Sequence, residues 1–184
     1  MYLKRDKFLV VGISRSGIAI TETLLKRGAK CYVYDDSESE TVKAAENNLA
    51  EKGATVVYRS EVAELLNEIT VVVLSPGIPI DHDIPVRARK LGKRITGELD
   101  LASEFCLSPI IAVTGTNGKT TTTYLLKSIL ENNKNKTTLI GTIKNMIGKR
   151  EIKTNLTTPE SINLENIFNK SLKKNISNIV METS

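Results

Sequence analysis

The sequence predicts an α/β fold in two parts: a Rossmann-like domain with a parallel sheet, and a second, incomplete α/β domain. Short apolar runs alternate with segments of helical periodicity along the chain. Two of these runs end in glycine-rich turns, at residues 12–17 and 115–118, and a helical pattern follows each turn. The segment 107–109 contains a proline and interrupts the pattern, so we predict domains at residues 1–107 and 108–184.

The first domain should contain five strands, because four apolar runs and a last short segment at 93–96 are separated by helical patterns and turns. The run at 70–74 is apolar throughout, which is typical of a strand inside a parallel sheet. Ser37 and Glu40 have the spacing of a capping box. Asp83 is the expected cap of a later helix, and Gly28 is placed just after the end of the first helix. The predicted strands are 8–11, 31–34, 55–58, 70–74 and 93–96. The predicted helices are 18–27, 38–52, 61–68, 83–91 and 98–105.

The first glycine turn departs from the dinucleotide-binding fingerprint. That fingerprint, Gly-x-Gly-x-x-Gly, has a glycine where Ser14 stands, and this glycine lets the backbone approach a pyrophosphate. The serine therefore argues against a nicotinamide- or flavin-binding domain. Asp35 follows the second strand, where a carboxylate could hold a ribose hydroxyl, but a turn or helix cap is the alternative for Asp35 and Asp36. The turn at residues 75–77 follows the fourth strand and should face the same crevice as the glycine turn.

The second glycine turn has the layout of a phosphate-binding loop. An apolar run at 110–113, expected to be a buried parallel strand, precedes Gly115, and a helical pattern follows at 121–131. Glycines let backbone N–H groups close on phosphate oxygens, and the helix N-terminus adds N–H groups and a positive dipole end. Lys119 supplies charge for the β- and γ-phosphates of ATP, and the Thr120 hydroxyl can ligate Mg²⁺. The alternative is a plain glycine turn with a surface lysine.

Three further elements are expected after this loop. Residues 141–156 should form a loop with a short hairpin, and Thr158 should cap the helix that follows. The predicted elements are a strand at 137–140, a helix at 159–174 and a strand at 178–181.

Composition and charge limit the partners. The net charge of +5 is concentrated in residues 108–184, which suits an anionic ligand such as ATP. Because its lysines have no interleaved aromatic residues, we predict no nucleic-acid partner. Cys31 and Cys106 are too few for a disulfide scaffold, and the N-terminal apolar run is too short for a signal peptide or membrane span. We expect a cytoplasmic monomer without a membrane partner. His82, expected in a loop, is the single histidine, which excludes a metal site built from several histidines within this chain.

The motifs resemble one family. The loop from Gly115 to Thr120, Gly-Thr-Asn-Gly-Lys-Thr, resembles the ATP loop of the Mur ligases, the ATP-dependent amino-acid ligases of peptidoglycan synthesis. The resemblance to members that add D-glutamate to UDP-N-acetylmuramoyl-L-alanine lies in residues 10–17, 33–35, 73–79 and 97–101. The resemblance to members that next add diaminopimelate or lysine lies in residues 141–143, 156–161 and 180–184. We favour the D-glutamate-adding activity, because its resemblance spans more residues.

The resemblance implies roles for individual residues. In this family the first domain binds the UDP part of the substrate rather than NAD, and ATP and Mg²⁺ act at the second. The implied catalytic residue is Lys119. The implied ATP-binding residues are Gly115, Thr116, Asn117, Gly118, Lys119, Thr120 and Thr121. The implied residues for the UDP substrate are Ser14, Arg15, Ser16, Asp35, Asp36, Ser75, Pro76, Gly77, Thr157, Thr158 and Ser184. The implied metal ligands are Thr120 and Glu182. A carboxylate at the end of a buried strand is costly unless it is paired or bound to metal, so a metal role for Glu182 is physically sensible.

The resemblance also implies that the chain is a fragment. Family members continue with more central strands, a carbamylated lysine and a third domain that receives the amino acid, and the sequence contains none of these. We therefore expect the chain alone to be inactive. Two alternatives remain open: an NAD-binding protein and a non-catalytic nucleotide-binding module.

Overall fold

The computed structural model describes residues 5–152 and 161–183. The chain divides into two compact units, residues 1–101 and 102–184. The division falls within a helix, Glu98–Ser103, and comes earlier than the predicted boundary at residue 107.

The first unit contains a parallel sheet. Its strands are β1 (Lys7–Val11), β2 (Lys30–Tyr34), β3 (Thr55–Val56), β4 (Val71–Leu74) and β5 (Arg94–Gly97). Its helices are α1 (Arg15–Lys26), α2 (Glu40–Glu51), α3 (Arg59–Glu68), α4 (Asp83–Lys90) and α5 (Glu98–Ser103). The strand order is β3-β2-β1-β4-β5, and every neighbouring pair is parallel. The predicted Rossmann-like sheet is therefore confirmed.

The middle strand, β1, explains why the sheet assembles in this order. Val10 pairs with Val33 on one side and with Val73 on the other, and all three side chains are fully buried. A strand covered on both faces needs a continuous apolar sequence, which β1 and β4 both have. Cys31 of β2 lies in the same core, and burial raises the pKa of its thiol to about 12, so the thiol is unreactive near neutral pH.

Two helix caps differ from the prediction. The cap of α2 is Ser39, whose Oγ accepts a hydrogen bond from Val42 N, because Ser37 is held in a turn by the bond from its own N–H to Asp35 Oδ1. The cap of α4 is His82, whose Nδ1 accepts from Ile84 N at 3.3 Å.

Two smaller predictions for the first unit had different outcomes. Asp83 is not a cap but the first residue of α4, and its carboxylate accepts a hydrogen bond from Arg59. Gly28 follows α1 with φ +79°, a left-handed conformation that glycine adopts readily, which confirms its predicted place.

The second unit contains a mixed sheet. Its strands are β6 (Ile110–Val113), β7 (Thr137–Ile140), β8 (Asn145–Ile147), β9 (Arg150–Ile152) and β10 (Asn178–Glu182). Its helices are α6 (Lys119–Asn132) and α7 (Ser161–Lys173). The strand order is β6-β10-β7-β8-β9. The first three strands are parallel, and β8 and β9 form the predicted short hairpin.

The prediction that β6 is buried was wrong. Ala112 is exposed, and Ile110, Ile111 and Val113 are half-buried. The reason is that β6 lies at an edge of the sheet and, within the described residues, pairs with β10 alone. An apolar sequence indicates which residues can be buried, but it does not indicate whether a neighbouring strand covers them.

None of the helices in the described residues has the length and apolar character that a membrane crossing requires.

Candidate functional site

The predicted phosphate-binding loop lies between β6 and α6 in the second unit. Gly115 has φ +133°, and Gly118, the cap residue of α6, has φ +81°. A Cβ at either position would meet nothing within 4 Å, so glycine is required here for backbone conformation rather than for space. The loop thereby turns the chain from the strand directly into the helix.

The start of α6 presents hydrogen-bond donors to the loop. The bond from Thr122 N to Gly118 O is the first of the helix, so the N–H groups of Lys119, Thr120 and Thr121 have no partner within it. Lys119 Nζ lies 2.5 Å from Gly115 O, which holds the ammonium at the loop. Three positive elements therefore converge here: free N–H groups, the dipole end of α6 and the lysine charge. Thr116, Asn117 and Thr121 are exposed beside them.

Glu182 ends β10 next to this loop. It is fully buried, and its Oε2 accepts from Thr120 Oγ1 at 3.1 Å and from Thr142 Oγ1 at 2.8 Å. Its Oε1 accepts from Thr142 N at 3.3 Å. A Cβ on Gly141 would lie 2.5 Å from Oε1, so glycine makes room for the carboxylate. The two predicted metal ligands, Thr120 and Glu182, are thus in direct contact.

This arrangement fits Mg²⁺. That ion is commonly bound through one or two carboxylates together with waters and substrate phosphates, rather than by a cage of protein ligands. Across the described residues no three His, Cys, Asp or Glu side chains form a metal-binding group, so a single carboxylate beside a hydroxyl and a phosphate-binding loop is the available donor set.

Sequence reasoning missed Thr142 as a site residue. The signal was its position directly after Gly141 at the end of β7, because the carboxyl ends of parallel strands meet at one edge of a sheet. β7 and β6 flank β10, so Thr142, the loop and Glu182 share that edge.

The glycine turn of the first unit follows β1. Gly12 has φ +95°, and a Cβ on Gly17 would lie 2.0 Å from Gly12 O. Ser14 caps α1, Arg15 begins it, and both are exposed, with Ser16 partly exposed beside them. A helix N-terminus reached through a tight glycine turn is a natural anion site. The turn lies where β1 and β4 are neighbours and the strand order reverses, the usual ligand position in such sheets.

Asp35 holds the glycine turn through its backbone. Asp35 Oδ2 accepts from Ile13 N at 2.7 Å, and Oδ1 accepts from Ser37 N at 2.8 Å. Both carboxylate oxygens of Asp35 therefore accept hydrogen bonds from backbone N–H groups. This directly supports the alternative stated above, in which Asp35 is a turn residue.

Asp36 belongs to a polar cluster that sequence reasoning missed. Its oxygens accept from Tyr34 Oη at 2.5 Å, from His82 Nε2 at 2.7 Å and from Arg59 at 3.2 Å. These bonds, that from Tyr34 foremost, lower the pKa of the Asp36 carboxyl below its ordinary value. Arg59 also donates to Asp83. No spacing in the sequence indicates this cluster, because its members come from three separate segments.

Ser75 is buried rather than presented to a ligand. Its Oγ lies 2.8 Å from Gly12 O and 2.7 Å from Glu98 Oε1. Ser75 and Pro76 line a cavity of about 430 Å³. Asp35 and Asp36 line a separate cleft of about 400 Å³. Four of the residues predicted for the UDP substrate are therefore divided between two cavities of this unit. Thr157, Thr158 and Ser184 lie outside the described residues.

Fold and site geometry define an α/β protein with a Rossmann-like unit and a second unit that has the layout of a phosphate-binding loop. Residues 6–97 match the family described as "Mur ligase MurD-like, N-terminal domain", and residues 113–184 match "Mur ligase middle domain". The chain belongs to the Mur ligase family.

The chain is also similar to individual curated proteins and solved structures. The chain is 37% identical over 154 residues to UDP-N-acetylmuramoylalanine--D-glutamate ligase of Lachnospira eligens, covering 84% of this chain and 34% of the relative. It is 41% identical over 133 residues to the protein of the same name from Caldicellulosiruptor bescii, covering 71% and 29%. A solved murein peptide ligase from Psychrobacter arcticus superposes with a TM-score of 0.49 at 21% identity, covering 97% of this chain and 38% of that one. The chain thus spans about a third of the length of the curated relatives it matches.

Proposed function

We propose that this chain is part of an ATP-dependent ligase that adds D-glutamate to UDP-N-acetylmuramoyl-L-alanine. The observation that carries the proposal is the contact between Thr120 of the phosphate-binding loop and the buried carboxylate of Glu182. Binding of a nucleoside triphosphate with Mg²⁺ requires such a carboxylate beside the loop. The names of the similar curated proteins support the choice of D-glutamate.

The proposed reaction passes through an acyl phosphate. The γ-phosphoryl group of ATP is transferred to the terminal carboxylate of the UDP substrate, and ADP leaves. The amino group of D-glutamate then attacks the acyl carbon, a carbon–nitrogen bond forms, and phosphate leaves. Such transfers depend on positioning and charge stabilisation rather than on a protein nucleophile.

The chain's own residues have defined tasks in this reaction. The N–H groups at the start of α6 bind phosphate oxygens, and the Lys119 ammonium offsets their charge. Thr120 and Glu182 would hold Mg²⁺, which neutralises further phosphate charge when bound. Thr142, through two hydrogen bonds, fixes the orientation of the Glu182 carboxylate.

The UDP end of the substrate belongs, in this proposal, to the first domain. Ser14, Arg15 and Ser16 receive the diphosphate at the start of α1. The assignment of residues 1–107 to UDP-substrate binding and of 108–184 to ATP binding is part of the proposal, as are a cytoplasmic location and a monomeric state.

Ligase activity is tested in the full-length gene product with ATP and Mg²⁺, by measuring phosphate release. We expect release when UDP-N-acetylmuramoyl-L-alanine and D-glutamate are both supplied, and none when either is omitted. Release with UDP-N-acetylmuramoyl-L-alanyl-D-glutamate plus diaminopimelate or lysine, but not with the first pair, would show that the later ligase of the pathway is correct.

A further inference from the structure

One hydroxyl in the first unit lies between two acceptors. Ser75 Oγ is 2.8 Å from Gly12 O and 2.7 Å from Glu98 Oε1. Both distances are typical of O–H···O hydrogen bonds, and each such bond needs its own hydrogen. The serine hydroxyl supplies one, and a carbonyl oxygen supplies none. Two full hydrogen bonds at Ser75 Oγ therefore require a hydrogen on Glu98, as in a carboxylic acid rather than a carboxylate.

The surroundings of Glu98 favour the neutral acid. The side chain is 6% exposed at the start of α5. Burial raises the pKa of the Glu98 carboxyl above 4.5, and the hydrogen bonds with Ser75 and Ser16 oppose this rise. The carboxyl forms hydrogen bonds with two uncharged hydroxyls, that of Ser75 directly after β4 and that of Ser16 in α1. Asp100 follows on its own helix, and Arg15 precedes Ser16.

We propose that Glu98 is a positioning residue that acts as a carboxylic acid, donating to Ser75 Oγ while Ser75 donates to Gly12 O, and so holds the glycine turn in the shape that accepts a nucleoside diphosphate. This proposal rests on the proposed binding of a UDP substrate by the first domain. It assigns no contact with the ligand to Glu98 itself.

Loss of the proton from Glu98 changes this chain of bonds. The single hydrogen of Ser75 then has two competing acceptors, and the charged carboxylate is the stronger one. Gly12 O, which is buried, loses its donor. The glycine turn is packed so closely that a Cβ on Gly17 would lie 2.8 Å from Ser75 Oγ. A shift of the hydroxyl therefore changes the packing of the turn. A negative charge also appears behind the proposed diphosphate site.

Calorimetric binding of UDP-N-acetylglucosamine between about pH 5 and 8 tests the proposal. The diphosphate of this probe has no group that titrates in that range. The variant is Glu98→Gln, whose amide donates to Ser75 at every pH. The matched control is Glu64→Gln, which removes an exposed carboxylate from α3 of the same unit.

For the wild-type chain and the control we expect affinity to fall about tenfold as pH rises, the size expected for one lost hydrogen bond at the turn. For Glu98→Gln we expect the low-pH affinity throughout. Equal pH dependence in Glu98→Gln and the wild type would overturn the proposal. Absence of binding by the wild type at every pH would instead contradict the proposed UDP site.

A second measurement does not depend on a ligand. In a chain labelled with ¹³C at glutamate carboxyls, the Glu98 resonance is assigned by its loss in Glu98→Gln. We expect it to titrate above the ordinary range of glutamate. Titration at or below that range would overturn the proposal even if the probe binds.

Unfolding by urea measures how the free energy of unfolding changes with pH as Glu98 loses its proton. Because the folded-state pKa is raised, the stabilisation from Glu98 is complete below its unfolded pKa, about 4.5, and is lost as pH rises through the folded pKa. The free energy of unfolding of the wild type should therefore fall relative to that of Glu98→Gln across this window. A constant difference between the two would contradict a proton held on Glu98.

Discussion

Lys119 is the residue on which the proposed ATP site depends most directly. Its ammonium is held at the loop by Gly115 O, beside the donors of α6. We expect Lys119→Ala to weaken binding of ATP with Mg²⁺ by about 1.5–3 kcal/mol, roughly 10- to 150-fold, because charge-assisted hydrogen bonds to phosphate are lost. Isothermal titration calorimetry on the 184-residue chain measures the change.

The control for this prediction is Lys174→Ala. It removes the same charge from an exposed position after α7, so it reports the effect of net charge alone. Affinity that falls equally in both variants would mean that long-range charge, not the loop, attracts the nucleotide.

The close packing around Gly17 predicts an effect of substitution on stability. An added Cβ would lie 2.0 Å from Gly12 O, a backbone atom that cannot move without moving the turn. We expect Gly17→Ala to lower the free energy of unfolding by about 1–3 kcal/mol, measured by urea unfolding with circular dichroism. Gly77→Ala is the matched control, because a Cβ there meets nothing within 4 Å. Similar losses in the two variants would show that the close approach is not what requires glycine.

Single residues were predictable from sequence where a strand or helix end determines their position. Thr120 and Glu182 were predicted as metal ligands, Thr120 from the loop motif and Glu182 from the family resemblance, and the structure places the two side chains in contact. Glu98 and the Asp36 cluster were not foreseen, because their partners come from separate segments. Asp35 shows a further limit, since a carboxylate after a strand can serve the backbone or a ligand and its sequence position does not tell which.

Helix α2 provides a test of which serine is its cap. Ser39 Oγ accepts from Val42 N, whereas Ser37 lies in the preceding turn. We expect Ser39→Ala to destabilise the chain by about 0.5–1 kcal/mol in urea unfolding, because a backbone donor at the helix start loses its acceptor. Ser37→Ala should cost less. A larger destabilisation by Ser37→Ala than by Ser39→Ala would instead support the capping box predicted from the sequence.

Most elements could be predicted from periodicity, and their boundaries and environments could not. The five segments predicted as strands in the first unit all became strands, although β3, at an edge of the sheet, shortened to Thr55–Val56. The cap positions depended on single hydrogen bonds such as that of His82 Nδ1, which periodicity does not contain. Strand β6 had the right sequence for a buried strand but lies at a sheet edge.

At the scale of the molecule, the two units differ in the strands that flank the buried strands of their sheets. In the first unit β1 has a strand on each side, and four of its five residues are buried. In the second, β10 is likewise flanked by two strands, but β6 is half-exposed at the edge beside the phosphate-binding loop. Strands with a single partner and exposed side chains open more readily than those with two.

Hydrogen exchange on the 184-residue chain should therefore show stronger protection in residues 1–101 than in 102–184. The sharpest comparison is among three strands. β1 amides should exchange most slowly, because both neighbours of β1 are themselves flanked by a further strand. β10 amides should come next, because one neighbour of β10 is the edge strand β6, and β6 amides should exchange fastest. Mass spectrometry of peptic peptides resolves these segments. Equal protection of β1 and β10 would mean that the second unit is as stable as the first and that only its edge frays. Equal protection of all three strands would mean that the two units unfold together, and the division into separate folding units would then be wrong.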